Sequence, residues 1–162
     1  MDSEIVIPVL IVLAICLIPI CIMKVRSLSK KRKALGFLYK LAKEFNEGVF
    51  QTGNWNNSAI GLTKNGSHIF VVSGSKKEFK SQTINLSLFN SCRVINDNSN
   101  SPYKEGNFKV TDKVELELTG ANKITERICF YSREEDGDLL KDELQLAETW
   151  HRKINEYIVK KG

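Results

Sequence analysis

The stretch Ala59-Ile60-Gly61-Leu62-Thr63, Lys64-Asn65-Gly66-Ser67, His68-Ile69-Phe70-Val71-Val72-Ser73 decides the fold. Two apolar runs of strand length flank an Asn-Gly pair, and Asn and Gly tolerate the positive φ that tight hairpin turns demand. An antiparallel hairpin is therefore expected here. Toward the C-terminus, beyond a turn at Gly74 to Lys77, Phe79 to Leu86 alternates as a third strand and Ser91 to Asn96 makes a fourth. Asp97 to Gly106 reads as a loop, because Asn, Ser, Pro102 and Gly106 leave almost nothing to bury. Phe108–Val110, Lys113–Thr119 and Lys123–Tyr131 read as three further strands, with Val114, Leu116 and Leu118 alternating against Glu115 and Glu117 and a turn at Gly120-Ala121-Asn122. About seven short strands at close spacing predict an antiparallel sandwich or barrel.

The chain closes with a helix. Leu140, Leu144, Ala147, Trp150, Ile154, Tyr157 and Ile158 fall on one face, after an acidic turn in which Asp136 or Asp138 is expected to cap the start. Trp150 has the most area to bury and is expected to plug the open end of the barrel. On the N-terminal side of the hairpin, Asn54, Asn56, Asn57 and Ser58 read as a polar connection, preceded by a basic amphipathic helix from Leu28 to Glu47 with Gly48 as its C-cap. The stripe of that helix, Leu35, Leu38, Leu41, Ala42 and Phe45, has two possible destinations: a membrane surface, or the domain that follows.

Further out lies Ile5 to Met23, nineteen residues without a charge. As a helix they would reach roughly 28 Å, close to the ~30 Å hydrocarbon thickness of a bilayer. Asp2 and Glu4 precede this run, whereas Lys24, Arg26, Lys30, Lys31, Arg32 and Lys33 follow it. Cytoplasmic flanks collect Lys and Arg, so the expected arrangement is a single retained span in the cell (inner) membrane, N-terminus outside, with the six basic residues against the anionic inner leaflet. A cleaved signal peptide would carry its basic residues before the apolar run. The domains are expected as 1–24, a transmembrane anchor; 25–54, a basic juxtamembrane helix and linker; and 55–162, the folded domain.

Charge and cysteines narrow the function classes. Residues 24–50 hold eight basic and two acidic side chains, and residues 51–162 hold sixteen basic and fifteen acidic, so the net +5 of the chain is juxtamembrane and no nucleic-acid partner is expected. Cys16, Cys21, Cys92 and Cys129 have no metal spacing; no metal or cofactor is expected, and Cys92 and Cys129 sit in strand runs where a buried thiol packs as a small hydrophobe. The two histidines, His68 and His151, are the only candidate bases near neutrality, and no nucleophile motif accompanies either.

Seven strands followed by one helix is the order of a pleckstrin-homology-like (PH-like) domain. Ser58-Ala59-Ile60-Gly61-Leu62, Ile128-Cys129-Phe130-Tyr131 and Ala147-Glu148-Thr149-Trp150-His151 resemble a family of bacterial membrane-anchored PH-like proteins of uncharacterised function, over roughly residues 55–158. The acidic residue that the family carries after the first of these stretches is replaced here by Leu62-Thr63-Lys64. The resemblance implies an α+β fold, a seven-stranded antiparallel split barrel closed by a C-terminal helix, and no reaction. It also implies contact with a ligand or leaflet through basic residues of the first loops, here Lys64, Lys76, Lys77 and Lys80. The usual phosphoinositide signature is missing, since Ile69 to Val72 is wholly apolar. The expected function is a tethered, non-enzymatic binding module for a protein partner or the leaflet. The alternatives are a subunit of a larger membrane assembly, or a small hydrolase or transferase with its site in the Asp97–Gly106 loop.

Overall fold

The computed structural model describes residue 18 and residues 32–74, 78–103, 106–137 and 140–160. Helix α1 occupies 32–44. Strands β1 (Val49–Trp55), β2 (Ser58–Thr63), β3 (His68–Gly74) and β4 (Phe79–Asn85) follow as one meander, and β5 (Phe89–Tyr103), β6 (Gly106–Gly120) and β7 (Thr125–Ser132) as another. Helix α2 (Arg133–Asp136) is a single turn, and α3 (Glu143–Val159) closes the fold. All strand pairs are antiparallel, in two sheets ordered β1-β2-β3-β4 and β5-β6-β7. The fold is thus α+β with seven antiparallel strands and a C-terminal helix, but the strands do not close into one hydrogen-bonded barrel.

The main core lies between the sheets. Ile60, Leu62, Ile69, Val71 and Ile84 from the first sheet meet Val114, Leu116, Leu118, Ile128 and Phe130 from the second, with Ala147, Trp150 and Ile154 of α3. Trp55 of β1 stacks on Phe130 of β7, ring centroids 4.3 Å apart, and joins the two sheets. The first sheet is covered on its other face too. Ala34, Leu38 and Ala42, spaced by four along α1, bury Ala59, Phe70 and Val72. A Cβ on Gly61 would sit 2.8 Å from Leu38 Cδ2, so the glycine lets the helix approach the sheet closely. This explains why Ile69-Phe70-Val71-Val72 is continuously apolar: both faces of β3 are dry. Of the two destinations open to the stripe of α1, the sheet is the one it takes.

Several local expectations are corrected. The segment Asp97–Gly106 is not a loop; β5 runs through it to Tyr103 and pairs with β6. The two short strands expected at 108–110 and 113–119 are one, because a register shift between Asp97↔Lys113 and Asn98↔Thr111 absorbs Asp112 without ending the ladder. The connection around Asn54 contains β1, paired to β2 through a two-residue turn at Asn56-Asn57 with Asn56 at φ 42°. Asn46, at φ 54°, caps α1 in place of Gly48. Its N–H donates to Lys43 O at 3.0 Å and that of Glu47 to Ala42 O at 3.0 Å, the two bonds of a Schellman motif. The position before α3 is Asp142, not Asp136 or Asp138, and its side chain makes no capping bond. Asp136 instead accepts from Ser132 N and Asn56 Nδ2, and Asp138 lies outside the described residues.

The Asn-Gly hairpin forms as expected. Gly66 has φ 65°, its N–H donates to Thr63 O at 3.0 Å, and a Cβ there would strike the ring of Tyr157 on α3. Gly66→Ala therefore combines left-handed strain with a clash and is expected to lower stability by about 2–3 kcal/mol, measurable by urea unfolding. A loss under about 0.5 kcal/mol would show that Tyr157 does not rest on this turn.

Candidate functional site

Four of the expected basic residues, Arg32, Lys33, Lys64 and Lys80, are among the described residues. Lys24, Arg26, Lys30 and Lys31 lie outside the described residues, as do Lys76 and Lys77 and, Ile18 aside, the expected span Ile5–Met23. Among the described residues, no helix is long and apolar enough to cross a membrane. Arg32 and Lys33 are exposed in the first turn of α1, and Lys64 and Lys80 are exposed on the first sheet. Lys64 follows Thr63 in the β2–β3 turn, beside the His68↔Asn85 pair, whereas Lys80 pairs with Ser73 near the opposite end of β3. Five residue steps of strand separate these ends, roughly 17 Å.

Helix α1 is aligned with this axis. Phe37 stacks on Phe79 at the Gly74↔Phe79 end, and Phe45 lies against Phe70 and His68 toward the other. The N-terminus of α1, with Arg32 and Lys33, is therefore at the end of the sheet that carries Lys80, and Lys64 is at the far end. The Asn56-Asn57 turn is at the Lys80 end as well, since a Cβ on Gly74 would touch Asn57 O at 2.6 Å.

At the far end a polar cluster ties α1 to the hairpin. His68 Nδ1 is 2.9 Å from Glu47 Oε1 and 3.0 Å from Ser67 Oγ, and Ser67 Oγ is also 3.0 Å from Glu47 Oε1. A hydroxyl, an imidazole and a carboxylate together suggest nucleophile activation, but that relay needs the hydroxyl on one ring nitrogen and the carboxylate on the other. Here both contact Nδ1. Ser67 Oγ is further engaged by Asn65 Oδ1 at 2.7 Å, so the cluster works as a clasp between the Schellman turn and β3.

The outer face of the second sheet carries a charged ladder. Glu115 and Glu117, opposite in pleat to Val114, Leu116 and Leu118, are buried beneath longer cations. Arg93 Nε donates to Glu117 Oε1 at 2.8 Å, Arg127 Nε to Glu117 Oε2 at 3.0 Å, and Lys113 Nζ is 2.8 Å from Glu115 Oε1. The hydrogen bond from Arg93 holds the Glu117 carboxyl below the ordinary carboxylate range; desolvation opposes this and Arg127 reinforces it. A depressed pKa in the folded state adds stability that is complete above the unfolded value near ~4.3 and is lost as pH falls through the folded value. Glu117→Gln is thus expected to reduce stability at pH 7 and flatten its fall below pH ~4, read by urea unfolding across pH. Equal acid sensitivity in both proteins would show that the ladder is not what acid breaks.

An open depression lies over this ladder, lined by Arg93, Glu117, Thr119, Lys123, Thr125 and Arg127. A second groove, toward the other end of β7, is lined among others by Asp97, Lys113, Cys129, Ser132 and Arg133. Contrary to expectation Cys129 is exposed, because it occupies the outward position between Ile128 and Phe130; Cys92 is buried as expected. Burial pushes the Cys92 thiol up to about 12; desolvation by its neighbours, joined by the charge of Glu115, pushes that of Cys129 up to about 11. Both are protonated thiols at neutral pH, a poor starting point for nucleophilic chemistry. No cluster of three metal-ligating side chains occurs among the described residues.

One contact has no local signal in sequence. Asn155 on α3 accepts from Cys92 N at 3.0 Å and donates to Cys92 O at 2.9 Å, so one amide side chain pairs with the edge of β5 as a neighbouring strand would. Comparison of the chain with protein-family models, curated proteins and solved structures returns no match.

Proposed function

We propose that the chain is a membrane-tethered, non-enzymatic binding module with a PH-like domain, held at the cytoplasmic face of the cell membrane and recognising a protein partner or the anionic leaflet. A four-stranded meander, a three-stranded meander and a closing helix that inserts Trp150 between them is the element order of that fold. The observation that carries the reading is the docking of α1. This helix follows the basic flank of the apolar run in sequence, and Ala34, Leu38 and Ala42 are spent on β2 and β3, which leaves Arg32, Lys33, Lys40 and Lys43 exposed. The helix is thereby fixed on the sheet, and its N-terminal end sets where the preceding residues join the domain. The protein-partner arm rests on β1, an edge strand with Phe50 60 % exposed, since exposed strand edges and aromatics are common docking features.

The test has two arms: flotation of the full chain reconstituted in neutral or anionic vesicles with labelled anionic vesicles offered in trans, and cross-linked recovery from cells. Salt-sensitive bridging between vesicles, lost when Arg32, Lys33, Lys40 and Lys43 are changed to Ser, supports the leaflet, because exposed charge attraction is screened within about 8 Å at physiological salt. A stoichiometric partner lost on Phe50→Ser supports the protein. Neither bridging nor partner, with turnover of any substrate, overturns the reading.

A further inference from the structure

The outer face of the second sheet sets long and short side chains in adjacent rows. Register puts Arg93, Glu117 and Arg127 side by side across β5, β6 and β7, and Ser91, Thr119 and Thr125 in the next row on the same face. Two residue steps of strand, roughly 7 Å, separate the rows. Beyond the second row, Lys123 ends the short helical turn that joins β6 to β7. Long cations on both sides of a low hydroxyl row make the depression over Thr119, which Arg93, Arg127 and Lys123 border.

Charge in this depression is unbalanced. Three cations face one carboxylate, that of Glu117, a formal excess of two positive charges. Glu115, in the row on the other side of Glu117, is paired with Lys113 at 2.8 Å. Glu126 also borders the depression, but it has the opposite pleat, as register partner of buried Leu118, and its carboxylate accepts from Gln82 Nε2 at 2.8 Å. Glu117 does not exhaust the two guanidinium groups. Arg93 directs Nε and Nη2 at Oε1, and Arg127 directs Nε and Nη2 at Oε2, so each keeps the two N–H groups of Nη1. Nη1 of Arg127 is 3.8 Å from Glu115 Oε2, beyond hydrogen-bond length. The buried carboxylate therefore braces both forks before any ligand arrives, which lowers the cost of ordering them on binding. The ammonium of Lys123 has no ion pair among the described residues. Its φ of 61° is left-handed backbone, where Gly or Asn sits with less strain.

We infer that this depression is a binding site for the phosphate monoester group of a small molecule, held by Arg93, Arg127 and Lys123 with the hydroxyl of Thr119. Guanidinium forks match phosphate oxygens in geometry, and an excess of two positive charges matches a dianion. The site is on the second sheet, whereas Lys64 and Lys80 belong to the first. It goes beyond the tethered binding module and does not depend on the tether.

The experiment uses the full chain in neutral maltoside micelles, isotope-labelled in arginine and titrated with inorganic phosphate and with glycerol phosphate at neutral pH and constant ionic strength. The side-chain Nε–H resonances of Arg93 and Arg127 are expected to shift saturably, with half-saturation at roughly 1 mM or below. Lys123→Asn, which suits the left-handed backbone, should weaken binding about tenfold and leave the unfolding midpoint no lower. Arg127→Lys keeps the charge but loses the fork, and should weaken binding to a similar extent. Micelles doped with phosphatidic acid, a monoester, or phosphatidylglycerol, a diester, separate the sources of the group. A larger shift with phosphatidic acid supports the site with a lipid headgroup as its ligand; saturation by glycerol phosphate with no difference between the two lipids supports it with a soluble ligand. Shifts that never saturate, that chloride reproduces, or that Lys123→Asn leaves unchanged overturn the site and leave a self-neutralised ladder.

Discussion

Trp150→Ala is expected to lower the folding free energy by about 3–5 kcal/mol, a large share of the roughly 5–15 kcal/mol that holds a domain together. Trp150 is 1 % exposed on the inward stripe of α3, between Ala147 and Ile154. Its ring fills the space left by Gly53 of β1, where a Cβ would lie 2.5 Å from Nε1. Removing it opens a cavity that two hydrogen-bonded sheets cannot collapse to fill. Trp150→Phe should recover more than half of the loss, because volume rather than the indole N–H is what the site needs. Urea unfolding followed by far-UV circular dichroism reads the effect. An unchanged midpoint for Trp150→Ala would mean that α3 does not cover the gap between the sheets.

Leu38→Ala is expected to cost about 2–4 kcal/mol, and the loss should be local. Leu38 is fully buried between α1 and the outer face of the first sheet, at contact with Gly61 and flanked by Ala34 and Ala42 one helical turn away on each side. The two alanines add little area, so Leu38 carries most of the attachment at the helix centre. Amide exchange of residues 34–42 should accelerate far more than that of β6, since α1 can open while the core between the sheets stays closed. The clasp at Glu47, Ser67 and His68 holds only the C-terminal end. Equal acceleration in α1 and β6 would instead make the helix part of one cooperative core.

The hairpin around Asn65-Gly66, the alternation of Val114, Leu116 and Leu118, and the stripe of α3 were all legible, because each has a local period that matches its burial. Strand β1 was not. Gln51-Thr52-Gly53-Asn54 reads as polar, and its inward position at Gly53 is empty so that Trp150 can enter from α3. The extension of β5 and β6 beyond Asp97↔Lys113 runs through Asn98-Ser99-Asn100-Ser101, so no hydrophobic alternation marks it in the sequence and the ladder alone shows it. Missing β1 also shifted the count of the turns. Without it the turn at Lys64 counts as the first of the meander; with it that turn is the second, and successive turns lie at opposite ends of a sheet. The wholly apolar run Ile69 to Val72 carried a further signal, since a strand dry on both faces requires a cover outside the sheet, and the helix stripe just upstream supplies one.

Alkaline carbonate extraction combined with a glycosylation assay tests whether the domain is held on the cytoplasmic side of a membrane. Asn56-Asn57-Ser58, Asn65-Gly66-Ser67 and Asn85-Leu86-Ser87 are acceptor sequences already present in exposed or half-buried turns, so the native chain is its own reporter. Expressed in a glycosylating membrane system, the chain should stay in the pellet through carbonate and carry no sugar at any of the three. Recovery in the supernatant, or sugar on Asn56, Asn65 or Asn85, would contradict the tethered cytoplasmic module.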